Sequence, residues 1–340
     1  MSKLMLVLGN GFTIDLIHQI EKEKEVNTVN LFYDGDIVEW PDGTKEKGFL
    51  SYRNCKNLWN LGARPKMDRE KAQELIEDII SCANTLPQKM LVGTGEKDNI
   101  YINAYYELAS YLKHLFIMYN QIVDDKELNG AKITEWGWYK LINSANNSPD
   151  IEEIDIVTYN YDIFLERILT LHNIRYDVVG IKEEGNKIKI FKPHGSISFC
   201  YNGKGEKEAF IIRKNADMYE AKISDFSVMY QQLDENYYVN AMIPPSGDSS
   251  RMTFKWADDL RTSIGDMLKK IDSSDRLIIS GLSYWHVDRR EIDEILISLP
   301  NEMKVYMVNP NPPKALNAVI SCIFDKYVLF TDSKSIGDLV

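Results

Sequence analysis

His194 stands in the segment Phe191-Lys192-Pro193-His194-Gly195-Ser196. An imidazole titrates near neutrality, so a histidine in a tight Pro/Gly setting suits proton abstraction from a hydroxyl or a water. Upstream, Thr158-Tyr159-Asn160-Tyr161-Asp162 ends an apolar run, and at the N-terminus Leu8-Gly9-Asn10-Gly11-Phe12-Thr13 ends another. Glycines at Gly9 and Gly11 permit positive φ and let the backbone approach a phosphate within hydrogen-bonding distance. Their spacing is shorter than Gly-x-Gly-x-x-Gly, so this turn alone does not define a dinucleotide site. Thr13 offers a hydroxyl to a phosphate or ribose, and Asp15 either faces the same pocket or sits in the first helical turn. Asn160, after a strand and before a helix, reads equally as an N-cap or as a ligand contact. A glycine turn, an Asn/Asp pair and a histidine, each just past a strand, fit a nucleotide site with a base in it, because open α/β sheets bind ligands at the carboxyl ends of their strands.

The elements that position these residues are read from hydrophobic periodicity. Lys3 to Leu8, Ile154 to Tyr159, Leu277 to Ser280, Lys304 to Val308 and Tyr327 to Phe330 are short apolar runs of strand length. Phe12 to Ile20, the segment after Asp162, Val287 to Leu299 and Pro313 to Cys322 carry helical patterns. Alternating strand and helix predict an α/β, Rossmann-like, mostly parallel sheet with helices on both faces. Gly281 and Ser283 end one strand, and Asn309 ends the next; each reads either as a turn residue or as a contact to the nucleotide. Asp288 reads as a helix cap. The chain is expected to form one domain, 1–340, with an insertion over 20–150. That insertion combines a hairpin excursion at Val26 to Arg53 with a helical cap of Asp68 to Asn84, Ile102 to Ile122 and Ile133 to Ser144. Lys187 to Phe191, Ser196 to Tyr201 and Ala209 to Ile212 read as short strands around the histidine. Gly93-Thr94-Gly95 reads as a turn, and His18, His114, His172 and His286 lack a catalytic context.

Composition narrows the classes of function. With 340 residues, 44% of them hydrophobic, the chain can build a sizeable core. A net charge of −11 argues against broad nucleic-acid binding, which needs clustered Lys and Arg. It leaves room for an anionic dinucleotide held by backbone N–H groups. No segment approaches the run of about twenty apolar residues that a membrane helix requires. Cys55, Cys82, Cys200 and Cys322 are isolated from one another, which fits a reducing cytoplasm and no disulfide framework.

The pattern Gly9-Asn10-Gly11-Phe12-Thr13, Thr158-Tyr159-Asn160-Tyr161-Asp162, His194-Gly195-Ser196, Gly281-Leu282-Ser283 and Val308-Asn309-Pro310 resembles, in the same order, the nucleotide-binding motifs of the sirtuins. It is most similar to the divergent bacterial sirtuin-like branch, several members of which destroy NAD in antiphage defence. The resemblance covers both ends of the chain but not the segment from about Ile20 to Ile151. Two features depart from the protein-deacylating members: no paired Cys-x-x-Cys motifs for zinc, and no counterpart of the Ile-Pro-Asp-Phe-Arg segment after the glycine turn. Some abortive-infection proteins also begin with a Gly-Asn-Gly-Phe turn.

What the resemblance implies is an NAD hydrolase that cleaves the nicotinamide–ribosyl bond, with NAD as substrate, no further cofactor and no metal. Asn160 then contacts the ribose side of NAD and places the attacking water, and His194 acts as the base. Asp162 holds the Asn160 loop or the nicotinamide amide, Gly281 and Ser283 meet the adenosine phosphates, and Asn309 meets the adenosine ribose. Such an enzyme needs control, which implies a homo-oligomer or a partner defence protein such as a hexameric ATPase. The competing reading is a non-hydrolysing sensor of NAD or ADP-ribose that signals through the helical insertion.

Overall fold

Each apolar run forms a strand and stops where the sequence changes character. In chain order the strands are β1 (Ser2–Leu8), β2 (Ile151–Thr158), β3 (Tyr176–Val178), β4 (Ile188–Phe191), β5 (Gly195–Tyr201), β6 (Phe226–Val228), β7 (Asn240–Met242), β8 (Arg276–Ser280), β9 (Lys304–Val308) and β10 (Lys326–Phe330). The computed structural model describes residues 2–90, 99–213, 217–244, 254–284, 289–337 and 339. His286, Asp288 and the turn expected at Gly93-Thr94-Gly95 lie outside the described residues.

Seven strands form one sheet in the order β10-β9-β8-β1-β2-β4-β3. Every neighbouring pair in it runs parallel. With its flanking helices this is the Rossmann-like α/β architecture that the strand–helix alternation predicts. From β1 the chain steps outward through β2 on one side, and later through β8, β9 and β10 on the other. The direction of progression reverses beside β1, which makes the β1–β8 boundary the topological switch point, the place where such sheets open a ligand crevice. Register is tight there. Thr158, Leu8, Ser280 and Val308 stand in one row across four adjacent strands, so their strand ends share an edge.

Inward of the exposed edge strand β10, both faces of this sheet are buried, as in parallel sheets generally. Leu4, Leu6, Ile154 and Ile156 fill one face, and Met5, Val7, Val157, Leu277, Ile279, Val305 and Met307 the other. On the second face they pack with Ile264 and Met267 of the helix Lys255–Leu268, with Ile292 and Ile295 of Arg289–Ser298, and with Leu316 and Ile320 of Lys314–Ile323.

The chain divides into two compact units rather than one domain with a continuous insertion. The parallel-sheet unit comprises Met1–Glu23, Val123–Pro193 and Asp259–Val340, and the second comprises Lys24–Ile122 and His194–Asp258. The insertion expected over 20–150 is therefore shorter at its C-terminal end and is joined by a later stretch. The reason is aromatic packing inside the sheet unit. Phe12 meets Trp136 and Trp138 at ring-centroid distances of 5.1 and 5.5 Å, and Trp136 Nε1 donates to Asp15 Oδ2 at 2.8 Å. These contacts assign Gly137–Asn147, expected in the cap, to the sheet unit, and they give Asp15 a structural role.

The second unit contains the helices Lys56–Leu61, Arg69–Met90 and Ile100–Ile122 and an antiparallel sheet in the order β6-β5-β7. Buried Glu107 accepts from the backbone amides of Asn57 (3.0 Å) and Leu58 (2.8 Å), capping the first of these helices with a full negative charge. The hairpin expected at Val26 to Arg53 is a run of turns with a single bridge, Glu39 to Lys47. Tyr119 organises it: its one hydroxyl proton is shared between Asp34 Oδ2 at 2.7 Å and the Asn27 carbonyl at 3.0 Å. The strand expected at Ala209 to Ile212 is also absent. A short 3-10 turn, Lys207–Ala209, precedes irregular chain, because Phe210 turns inward against Trp40 and His114 instead of joining a ladder. Among the described residues no helix is long and apolar enough to cross a membrane.

One residue in the sheet contradicts its surroundings. Asp155, in the middle of β2, is 0% exposed, and neither carboxylate oxygen has a hydrogen-bond partner. Burial, reinforced by the neighbouring charge of Glu153, raises its pKa to about 7. The folded protein therefore holds this proton while the unfolded chain, with an ordinary aspartate, has released it. Stability from this group is complete below about pH 4 and is lost as pH rises towards 7. Asp155→Asn removes the charge without changing the shape. In urea unfolding it should be more stable than the parent at pH 8 by on the order of 1–3 kcal/mol, with the gap shrinking steadily as pH is lowered towards 4.

Candidate functional site

The switch-point edge is built on backbone proximity. Gly9 N donates to Ser280 O at 2.9 Å and Gly11 N to Gly281 O at 3.2 Å, which laces the β1 turn to the end of β8. A Cβ on Gly9 would lie 2.6 Å from the Gly281 carbonyl oxygen, and one on Gly11 only 2.4 Å from Gly281 Cα. In the other direction, a Cβ on Gly281 would lie 2.4 Å from Gly11 N, and Gly281 also has a φ of +65°. Positive φ is thus the requirement at Gly281 and not at Gly9 or Gly11, where the requirement is the absence of a side chain. The Gly11 amide already serves Gly281. Asn10 opens the helix Asn10–Gln19 beside this contact.

The loop after β2 docks onto the same turn through side chains. Asn160 Nδ2 donates to Gly9 O at 3.0 Å and to Thr13 Oγ1 at 2.9 Å. Thr13 Oγ1 in turn donates to Asp162 Oδ2 at 2.7 Å. The other Asp162 oxygen accepts from the amide of Phe164 at 3.2 Å, at the start of the helix Phe164–Leu171. Burial pushes the Asp162 pKa up, and the charge of Lys192 works against that rise. Both protons of the Asn160 amide are committed to holding the turn, so its Oδ1 is left as an acceptor on a half-buried side chain. The Thr13 hydroxyl is occupied in both directions, as donor and as acceptor. Its place is inside the network that fixes Asn160, rather than on a phosphate. Tyr161 is buried and packs.

Sequence reading missed the ion pair beneath this network. Lys192 Nζ donates to the Asp162 carbonyl at 2.6 Å and to Glu166 Oε1 at 2.7 Å, and both side chains of the pair are 1% exposed. Lys192 lies just past β4 and Glu166 in the helix after Asp162, so the pair ties two strand ends together. The only signal in sequence is a glutamate among Phe164, Leu165, Ile168 and Leu169, and it names no partner.

The sheet unit therefore gathers Gly9, Asn10, Gly11, Thr13, Asn160, Asp162 and Gly281 at the ends of three adjacent strands. Ser283 is exposed two residues beyond Gly281. Asn309 follows β9, but its side chain accepts from the Asn311 amide at 2.9 Å and shapes its own turn. His194 belongs to the second unit, where it is 3% exposed and its carbonyl accepts from Ile243 N at 3.0 Å. Gly195, with φ +82°, lies so close to Ala241 that a Cβ would meet its carbonyl oxygen at 1.8 Å. In sequence His194 is two residues from the anchored Lys192. No protein-family model and no curated protein matches this chain.

Breaking a buried ion pair on one side leaves an uncompensated charge, which costs about 3–5 kcal/mol. Lys192→Met should lower stability in urea unfolding by that order, and the double variant Lys192→Met/Glu166→Leu should recover most of it. Equal loss in the single and double variants would show that the pair does not hold the strand ends.

Proposed function

We propose that this chain is an NAD+ hydrolase, cleaving the bond between nicotinamide and ribose to give nicotinamide and ADP-ribose. The observation that carries the reading is the state of Asn160 at the switch-point edge: both amide protons are held by Gly9 and Thr13, leaving Oδ1 to accept from a ribose hydroxyl or a water. The resemblance in motif order to sirtuin-like NAD hydrolases supports the same assignment. Unlike a phosphate-loop nucleotidase, the reaction needs no cationic clamp for a leaving phosphate, which suits a chain with an acidic net charge of −11.

The chemistry asks little of the protein beyond placement. Nicotinamide is cationic in NAD and departs neutral, carrying the bonding electrons with it, so no general acid is required. The ribosyl group passes through an oxocarbenium-like state and is captured by water. Asn160 Oδ1 orients that water or the neighbouring ribose hydroxyl, and His194 takes the proton released as the new C–O bond forms. Asp162 and Thr13 act on Asn160 rather than on substrate, and the Gly9–Gly11–Gly281 contact gives the pyrophosphate a surface without side chains.

An enzyme that empties its own cell of NAD has to be held silent. Antiphage defence by NAD depletion, released on self-assembly or by a partner such as a hexameric ATPase, is the biological setting that we propose for it. The test is nicotinamide release from NAD, measured across a range of protein concentrations alongside molecular mass in solution. Activity per protomer should rise with assembly or with partner. In the active state His194→Ala and Asn160→Ala should each lower turnover by roughly a hundred- to ten-thousandfold, the usual range for a positioned base. Saturable NAD binding without cleavage in every state would favour a sensor, and full activity in both variants would remove the catalytic assignment.

A further inference from the structure

The second unit carries two cations, Lys113 and Arg213, that make no ion pair among the described residues. Lys113, on the helix Ile100–Ile122, is 5% exposed, and among the described residues it makes no ion pair. Its Nζ lies 4.9 Å from the ring centroid of Tyr237. The acids nearby are engaged elsewhere: Asp234 with Lys207, and Glu235 with Lys204 at 3.0 Å. Arg213 lies over the Tyr238 ring at 4.7 Å and reaches Asn236 Oδ1 at 3.3 Å through one nitrogen, while its buried Nε has no acceptor. Lys113 and Arg213 line one small cavity of about 40 Å³. That is room for a single group of a few heavy atoms.

Two acceptors line the same cavity and are equally unanswered. His114 Nδ1 faces the Ser110 carbonyl at 2.8 Å, and a carbonyl only accepts, so that nitrogen carries the proton and Nε2 presents a lone pair. Nε2 is buried without a partner, and burial, with Lys113 beside it, lowers the pKa of the ring to about 3. Asn240 Nδ2 is fixed on the Ala109 carbonyl at 3.0 Å, which leaves its buried Oδ1 without a donor. His114, which the sequence presents as a packing residue, is thus part of a convergent polar set.

A buried ammonium and a buried guanidinium N–H both need acceptors, and an anion supplies them most effectively. A carboxylate would satisfy the cations and leave the acceptors of His114 and Asn240 unmatched. A tetrahedral phosphate that retains a proton offers oxygens to the first pair and an O–H to one member of the second. We propose that the second unit binds a phosphate group, as the free ion or as a small monoester, between Lys113 and Arg213. None of its residues belongs to the switch-point set, and it does not depend on the hydrolase reading.

The test is thermal unfolding of the full chain at pH 7 and constant ionic strength, in sodium chloride, sodium acetate, inorganic phosphate and glycerol 3-phosphate. Inorganic phosphate should give a saturable rise of about 2–4 °C over chloride, and acetate should not. Lys113→Met and Arg213→Gln should each abolish the saturable part, while Asn160→Ala keeps it. Should Lys113→Met fail to fold, Arg213→Gln, at a half-buried loop position, decides alone. A matching rise in glycerol 3-phosphate identifies a site that admits esters, and none identifies a free-ion site. The proposal is overturned by an equal rise in the parent and in Arg213→Gln, by no saturable rise at all, or by an acetate effect equal to that of phosphate.

Discussion

Two stretches of backbone, far apart in sequence, touch at Gly9, Gly11 and Gly281 with no space for a single added carbon. The candidate site rests on this contact. It sets the distance between the ends of β1 and β8, and it fixes the direction in which the helix Asn10–Gln19 leaves the sheet. It also presents the Gly9 carbonyl to which Asn160 is bound. A methyl group at any of the three positions would separate strands whose register the rest of the sheet enforces. The sheet supplies rigidity through its buried interior, and the glycines turn that rigidity into a fixed juxtaposition of two strand ends.

Around this contact lies a chain of polar groups that is closed on the protein side. Glu166, Lys192, Asp162, Thr13 and Asn160 each answer the next, from a fully buried ion pair to a half-buried amide. Only the last member retains an unused acceptor. Such a series converts the packing of the interior into the orientation of one side chain, a requirement for catalysis by placement. The second unit shows the opposite arrangement, in which donors and acceptors converge without answering one another.

Much of the sheet was legible because its strands announce themselves as apolar runs cut short by Gly, Asn or Ser. β1, β2, β8 and β9 follow that rule, β10 is an apolar run that ends at Thr331-Asp332, and their parallel pairing follows from alternation with helices. β3, β6 and β7 are three residues each, too short for any period to register. The division into units was hidden for a different reason. The second unit is assembled from separate stretches, and nothing local marks Val123 or His194 as a boundary. In the site, the residue types at Gly9, Asn160 and Asp162 were readable, but their wiring was not. Thr13 looked like a ligand contact and serves Asn160 instead, and nothing beside Lys192 in sequence names Glu166 as its partner. A hydrogen bond between positions 13 and 162 leaves no trace in a single sequence.

The position of β1 has a consequence for the order in which the molecule can be made. It is made long before β8, yet the two are neighbours in the interior of the sheet. Until Gly281 has emerged, Gly9 and Gly11 have nothing to close against. A nascent or truncated chain that stops short of β8 has an open sheet edge where the glycine contact belongs. Closure of that contact waits on the synthesis of β8, and a chain that terminates before it lacks the backbone packing on which the candidate site rests.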